Sequence, residues 1–250
     1  MKVLVTFSVD SEFAPWRRRH GFVRIGSAPA SFAATIGGIH ARVVLTGMGQ
    51  ERALAAARAS FALRPDICIS AGLAGALRPG FQPGDVLAAR LVSEAGQPLA
   101  VASHGDLLSE ARACGAQVVE RFATSNTIVA RAEEKRALGA EADAVEMESY
   151  AILVEAARHG VPAVAIRAVS DTVDFDLPYD FSSAGDEEGR IRASRVIWQV
   201  LRRPAGVPSL LRFALDCRLG ARKLAAFLDV YAGSLNSRLI PVESELAAAT

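Results

Sequence analysis

The chain has 250 residues, half of them apolar, with 20 glycines and 11 prolines, a composition that supports a sizeable folded core and excludes a disordered chain. That length allows one large α/β domain or at most two small ones. A net charge of +1 leaves no electrostatic footprint for a nucleic acid or an anionic membrane, so neither is an expected partner.

The stretch Val3–Val9 is rich in β-branched residues and reads as a buried strand that ends in the polar run Asp10-Ser11-Glu12. A helix is expected to begin with Phe13, and the stretches ATIGGI and ARVVLTG form a hairpin around His40. Gly47-Met48-Gly49 turns the chain into a helix over Glu51–Leu63. Asp66–Ser70 is a second buried strand, running into the glycine-rich turn Ala71–Gly75. Beyond Gly84-Asp85 the pattern predicts a strand at VLAARLV, a helix over Leu107–Cys114, a strand over Val118–Ala123 and a helix over Arg131–Leu138. Glu146–Arg158 reads as a helix and Ala163–Val169 as a strand closing at Ser170-Asp171. Three helices, Arg190–Leu201, Pro208–Asp216 and Leu219–Tyr231, complete the tail. Strands alternating with helices favour an α/β three-layer sandwich around a mixed central sheet. The expected organisation is one domain over residues 1–204 with a helical C-terminal extension, 205–250, packed on it.

Cys68, Cys114 and Cys217 are far apart, as are His20, His40, His104 and His159, and neither set has metal-ligand spacing. Reduced thiols and no metal are expected. A strand starting at Lys2 without an apolar leader, and no apolar run of spanning length, point to a cytoplasmic protein. Arginine fills all but three of the 28 basic positions, the exceptions being Lys2, Lys135 and Lys223, and with the abundant alanine this reads as genomic base bias.

Open α/β sheets form their sites beyond the carboxyl ends of strands. Here those ends carry Glu12, the Gly72–Gly75 turn and Asp171, with Glu146 and Glu148 at the start of a helix. Each has an ordinary structural reading on its own: Glu12 as a solvated turn residue, Asp171 as a helix cap, the glycines as tight turns, the two glutamates as a first helical turn favoured by the dipole. Clustering several carboxylates is costly, however, and asks for a chemical reason. Two residues apart on a helix, Glu146 and Glu148 cannot both face one pocket, so Glu148 is taken as functional and Glu146 as structural. Neither glycine set completes a dinucleotide fingerprint.

The ordered blocks VTFSVDSE, LTGMGQERA, SAGLAGALRPGFQPGDV, VEMESYAILVEAARHGVP and AIRAVSDTVD resemble the nucleoside phosphorylase and nucleosidase superfamily over roughly residues 1–174. The early Glu12, without a G-D-P-x-R loop, is similar to methylthioadenosine/S-adenosylhomocysteine nucleosidases. The tail, and the apolar Leu73, are similar to hopanoid-associated phosphorylase-like members. Leu73 stands where simple phosphorylases and methylthioadenosine nucleosidases carry Ser or Thr, and Ser70 where phosphorylases carry Arg, so the usual phosphate contacts are missing.

The resemblance implies an N-glycosidic bond hydrolase that releases adenine from a 5′-substituted adenosine without a cofactor. Cleavage of that bond needs a proton for the base, a nucleophile and a stabiliser for an oxocarbenium-like sugar. The implied roles are Asp171 as acid at purine N7, Glu12 as base for the attacking water, and Glu148 with the Met147 backbone on the ribose hydroxyls. Arg167 is expected near Glu12, and Ser170 against Asp171. Ile128 and Val129 are expected along the base, Leu73, Ala74 and Gly75 along the cavity, and Met48, Val9 and Phe181 around the 5′ group. Alternatives are a phosphate-dependent phosphorylase, a hopanoid-pathway enzyme removing adenine from adenosylhopane, and a non-catalytic nucleoside-binding protein. A homodimer is a further expectation. The apolar tail is expected to bury itself in its own subunit or a partner, or to form a lid over a lipid-like substrate tail.

Overall fold

The structure, a computed structural model, describes residues 1–179 and 204–239, with side chains as far as residue 235. The expected helix Arg190–Leu201 and the candidate Phe181 lie outside the described residues. In chain order the elements are β1 (Lys2–Phe7), α1 (Asp10–Arg19), β2 (Val23–Ser27), β3 (Ala30–Ile36), β4 (Ile39–Leu45), α2 (Gln50–Phe61), β5 (Ile67–Ala76) and β6 (Val86–Glu94). Then come β7 (Ala100–Ala102), α3 (Gly105–Ala113), β8 (Gln117–Thr124), α4 (Ala132–Leu138), β9 (Ala144–Glu146), α5 (Ser149–Arg158), β10 (Ala163–Asp171) and, after a 3-10 turn at Pro204–Gly206, α6 (Val207–Leu239).

The strands form a mixed sheet in the order β10-β6-β8-β9-β5-β1-β4-β3-β2, with β7 on β6. β10 also pairs with β5, so that part of the sheet curls back on itself. Residue parity splits the sheet between two helical layers, because successive side chains leave opposite faces. Val3, Val5 and Phe7 of β1, with Val164, Ile166 and Ala168 of β10, pack towards α1, α3 and α6. Leu4 of β1, with Ala163, Ala165 and Val169 of β10, packs towards α2 and α5. This is the three-layer α/β architecture that the alternation of elements predicts.

Several local readings are corrected. The hairpin turn between β3 and β4 is Gly37-Gly38, and His40 lies inside β4. Both glycines have positive φ, 57° and 86°, as a two-residue turn matching strand twist requires. α1 begins at Asp10, which puts Glu12 in its first turn. The run Gly72–Gly75 is not a turn, since β5 continues through it to Ala76. Glu146 and Glu148 do not share a helix: Glu146 ends β9, and Glu148 caps α5 with φ −134°.

The two helices expected over Pro208–Asp216 and Leu219–Tyr231 are one continuous helix, α6. Gly220, within it, stays close-packed: a Cβ there would lie 3.0 Å from Leu73 Cδ2 and from the Val169 carbonyl oxygen. Leu224, Leu228, Tyr231 and Leu235 are fully buried in the core of this same subunit. Asp229 of α6 accepts a hydrogen bond from Trp16 Nε1 at 2.8 Å and meets His20 Nε2 at 2.7 Å. The tail therefore clamps the helix that carries Glu12.

Candidate active site

At the carboxyl ends of β1, β5 and β10 lies a cavity of about 240 Å³. Glu12, Glu148 and Asp171 all line it, although they come from three separate parts of the chain. Met48, Leu73, Ala74 and Gly75 contribute wall on one side. Ile128, Val129, Met147 and Ser170 contribute the rest of the predicted lining. Val9 is not among the lining residues; its neighbour Ser8 is, because α1 starts at Asp10 and turns Val9 aside.

Glu12 is held in place by β1 and β5 together. Its Oε2 accepts hydrogen bonds from the Ser8 hydroxyl at 2.7 Å and the Ser8 N–H at 3.1 Å, and its Oε1 accepts the Leu73 N–H at 3.0 Å. Gly72 makes this possible. A Cβ there would sit 2.7 Å from Arg167 Nη1 and 3.2 Å from both Glu12 carboxylate oxygens. At Gly75 a Cβ would come 3.1 Å from Asp171 Oδ2. The glycines of β5 thus serve close approach of charged side chains to the backbone, not chain reversal.

Glu146, Glu148 and Glu12 surround one guanidinium, that of Arg167, which is buried and donates from Nη2 to Glu146 Oε2 at 2.5 Å. Arg167 lies 3.6 Å from Glu148 Oε2, so it serves these two glutamates as ion-pair partners and reaches Glu12 only across Gly72. Glu146 also accepts the Thr124 hydroxyl and the N–H groups of Glu148 and Ser149, at 2.9 and 2.7 Å. Burial works against its charge, but the Arg167 cation and these donors prevail and hold its pKa below the ordinary value. Glu146 is therefore the ionised anchor that fixes the β9–α5 corner, and it also touches the cavity wall.

Glu148 is the opposite case. Burial, then the negative charge of Glu146, push its pKa up to about 8, against the attraction of Arg167. Its Oε1 accepts the Gly49 N–H at 3.0 Å, which ties the Gly47–Gly49 turn to the site. Of the two glutamates paired with Arg167, Glu146 is held at 2.5 Å and Glu148 only at 3.6 Å, so the proton is kept by Glu148.

Asp171 sits past a bulge in β10, where the register shifts between Val169 and Asp171. Ser170 Oγ donates to Asp171 Oδ1 at 2.6 Å and also reaches the Ala74 carbonyl at 3.1 Å. On the far side, Lys135 of α4 donates to Asp171 Oδ2 from a fully buried ammonium. This lysine was not among the expected site residues, and the signal it carried was its rarity in an arginine-rich chain. Phe213 and Cys217 of α6 and Leu177 were also missed; they complete an apolar wall. Burial, then the Asp171 and Glu12 charges, push the Cys217 thiol up to about 12, so it stays neutral there. No described helix is long and apolar enough to cross a membrane.

No curated protein matches the chain in sequence. Among solved structures, 5′-methylthioadenosine/S-adenosylhomocysteine nucleosidase from Helicobacter pylori, with butyl-thio-DADMe-Immucillin-A, superposes with a TM-score of 0.74 at 18% identity, over 94% of this chain and 99% of that one. Native futalosine hydrolase of Helicobacter pylori gives 0.73 at 18% identity, over 94% and 98%. The 5′-methylthioadenosine/S-adenosylhomocysteine nucleosidase from Neisseria meningitidis, in complex with methylthio-immucillin-A, gives 0.72 at 21% identity, over 94% and 99%. At these identities the likeness is one of fold. The family model described as the phosphorylase superfamily matches residues 11–202. With most of its length matched to that model, the chain belongs to the phosphorylase superfamily.

Proposed function

We propose that this protein is a nucleosidase, hydrolysing the N-glycosidic bond of a purine nucleoside, a 5′-substituted adenosine, with release of adenine. The observation that carries this reading is the meeting of Glu12, Glu148 and Asp171 on one cavity from three strand ends. A non-catalytic binder has no use for a carboxyl group at the leaving base in addition to two others. Water attacks the anomeric carbon and gives its proton to Glu12, Asp171 protonates the departing base at N7, and ionised Glu148 steadies the positive sugar. Ile128 and Val129 flank the base, and Met48, Leu177 and Phe213 accommodate an apolar 5′ group.

Two observations favour water over phosphate. Ser70 is buried and occupied by Ser149 Oγ at 3.1 Å and by Arg167 at 3.4 Å, and the Leu73 side chain is packed beside Gly220 of α6. Adenine release from 5′-methylthioadenosine is expected to proceed at the same rate with and without phosphate, giving the free sugar. Detection of a sugar 1-phosphate by chromatography would make the protein a phosphorylase.

The raised pKa of Glu148 sets two pH dependences. Because ionised Glu148 is the form that stabilises the transition state, kcat/KM should climb about tenfold per pH unit up to about 8, where this rise ends. Stability runs the other way. Between the ordinary value of 4.5 and about 8 the folded protein holds a proton that the unfolded chain does not, so stability falls as pH rises through that window. At ~1.4 kcal/mol per unit the loss is on the order of a few kcal/mol. Glu148→Gln should remove this slope and raise stability at pH 8 while lowering activity. Urea melts at pH 5 and pH 8 read it directly; an unchanged slope in the variant assigns the titration to another group.

A further inference from the structure

Among the described residues Lys135 is the most deeply buried cation outside the Glu146–Arg167 cluster, with no exposed side-chain surface. Its ammonium has three acceptors: Asp171 Oδ2, the Phe175 carbonyl at 2.7 Å and the Thr172 carbonyl at 3.2 Å. The Phe175 ring centroid lies 5.9 Å from Nζ. One acceptor is charged, and it belongs to the cavity wall. A purely structural ion pair at this depth gains little over apolar packing, since desolvation offsets the attraction. The choice of cation is informative as well. Arginine occupies nearly every other basic position in the chain, yet the group beside Asp171 is the one whose proton can leave when buried.

We propose that Lys135 is a positioning residue that acts through Asp171 as the proton reservoir for the leaving base. The inference rests on the nucleosidase reading. As the C1′–N9 bond breaks, its electron pair goes to the purine, and N7 takes a proton from Asp171. That proton comes from the Lys135 ammonium, which passes it to the Asp171 carboxylate as the bond breaks, becomes a neutral amine and is reprotonated from solvent after the base departs. Asp171 ends the step as the carboxylate it was at the start, and the proton lost by Lys135 is the proton gained by adenine. Ser170 on Oδ1 and Lys135 on Oδ2 hold the carboxylate between the cavity and its proton source.

The test compares wild type, Lys135→Met and Lys135→Arg on two substrates, 5′-methylthioadenosine and a 4-nitrophenyl riboside carrying the same 5′ group. Nitrophenolate leaves without a proton. Both variants are expected to lose ~10²-fold or more in kcat on the nucleoside, within the range of general acid catalysis, and less than about threefold on the nitrophenyl riboside. Arginine keeps the charge and releases no proton, so Lys135→Arg should fail on the nucleoside as Lys135→Met does. Recovery of wild-type kcat by Lys135→Arg, or equal losses on both substrates, would overturn the proposal and leave Lys135 a structural partner. If neither variant folds, the wild-type pH profile decides: the nucleoside rate should fall on an alkaline limb that the nitrophenyl riboside lacks, and coincident limbs refute the reservoir. A wild-type protein inert on both substrates overturns the nucleosidase reading, and this inference with it, whereas an active wild type and an active Lys135→Arg overturn this inference alone.

Discussion

Asp171→Asn is expected to lower kcat for 5′-methylthioadenosine by ~10²–10⁴-fold, the span that a positioned general acid supplies. Asparagine keeps the shape of the side chain and one of the two acceptor oxygens, enough for the Ser170 hydroxyl or the Lys135 ammonium but not both, since they donate to Oδ1 and Oδ2 in the native protein. It has no carboxyl proton to pass to the base. The substitution also leaves the buried Lys135 charge without a counter-ion, and breaking a buried pair from one side costs about 3–5 kcal/mol. The two effects separate by temperature. Single-turnover adenine release measured well below the melting transition, with folding followed by circular dichroism, isolates the chemical loss. Turnover near that of the native protein would remove Asp171 from the mechanism, whatever the stability change.

How far the sequence reveals this site depends on what kind of signal each part leaves. β1 and β10 were legible because runs of apolar, partly β-branched residues end at polar groups, as a strand buried on both faces must. The continuation of β5 through Gly72–Gly75 was not legible. Glycine ordinarily marks a turn, and nothing local says that Arg167, Glu12 and Asp171 will cross the backbone there. The corner at Glu146–Glu148 was misread as helix for a similar reason. A strand of three residues, β9, leaves no periodicity, and the helix that follows supplied the pattern. The continuity of α6 was hidden by Asp216-Cys217-Arg218, a polar interruption that reads as a break. In the folded chain Cys217 faces the cavity and Gly220 sits against Leu73, so the interruption marks contact with the site and not the end of a helix. Lys135 stood in plain view as one of three lysines, but its partner lies 36 positions away and only the fold joins them.

The largest expected loss of stability comes from removing Arg167. Its guanidinium is the shared counter-ion of buried Glu146 and Glu148, and the Glu12 charge also acts on it. Arg167→Met keeps much of the side-chain volume and leaves the carboxylates facing one another without a cation. Breaking a buried pair in this way costs about 3–5 kcal/mol, and mutual repulsion of the remaining acids adds to it. The sign with pH distinguishes this from a packing defect. Without Arg167 the glutamates ionise less readily when folded, so the folded variant holds extra protons, and its stability should fall more steeply than that of the native protein as pH rises above the ordinary carboxylate range. Urea unfolding at pH 5 and pH 8 should therefore show a larger deficit at pH 8. Adding Glu146→Gln to Arg167→Met should recover part of the loss at pH 8, because it removes the acid that the guanidinium touches most closely. A deficit equal at both pH values, with no recovery in the double variant, would mean that Arg167 acts through packing and that the carboxylates are relieved in some other way.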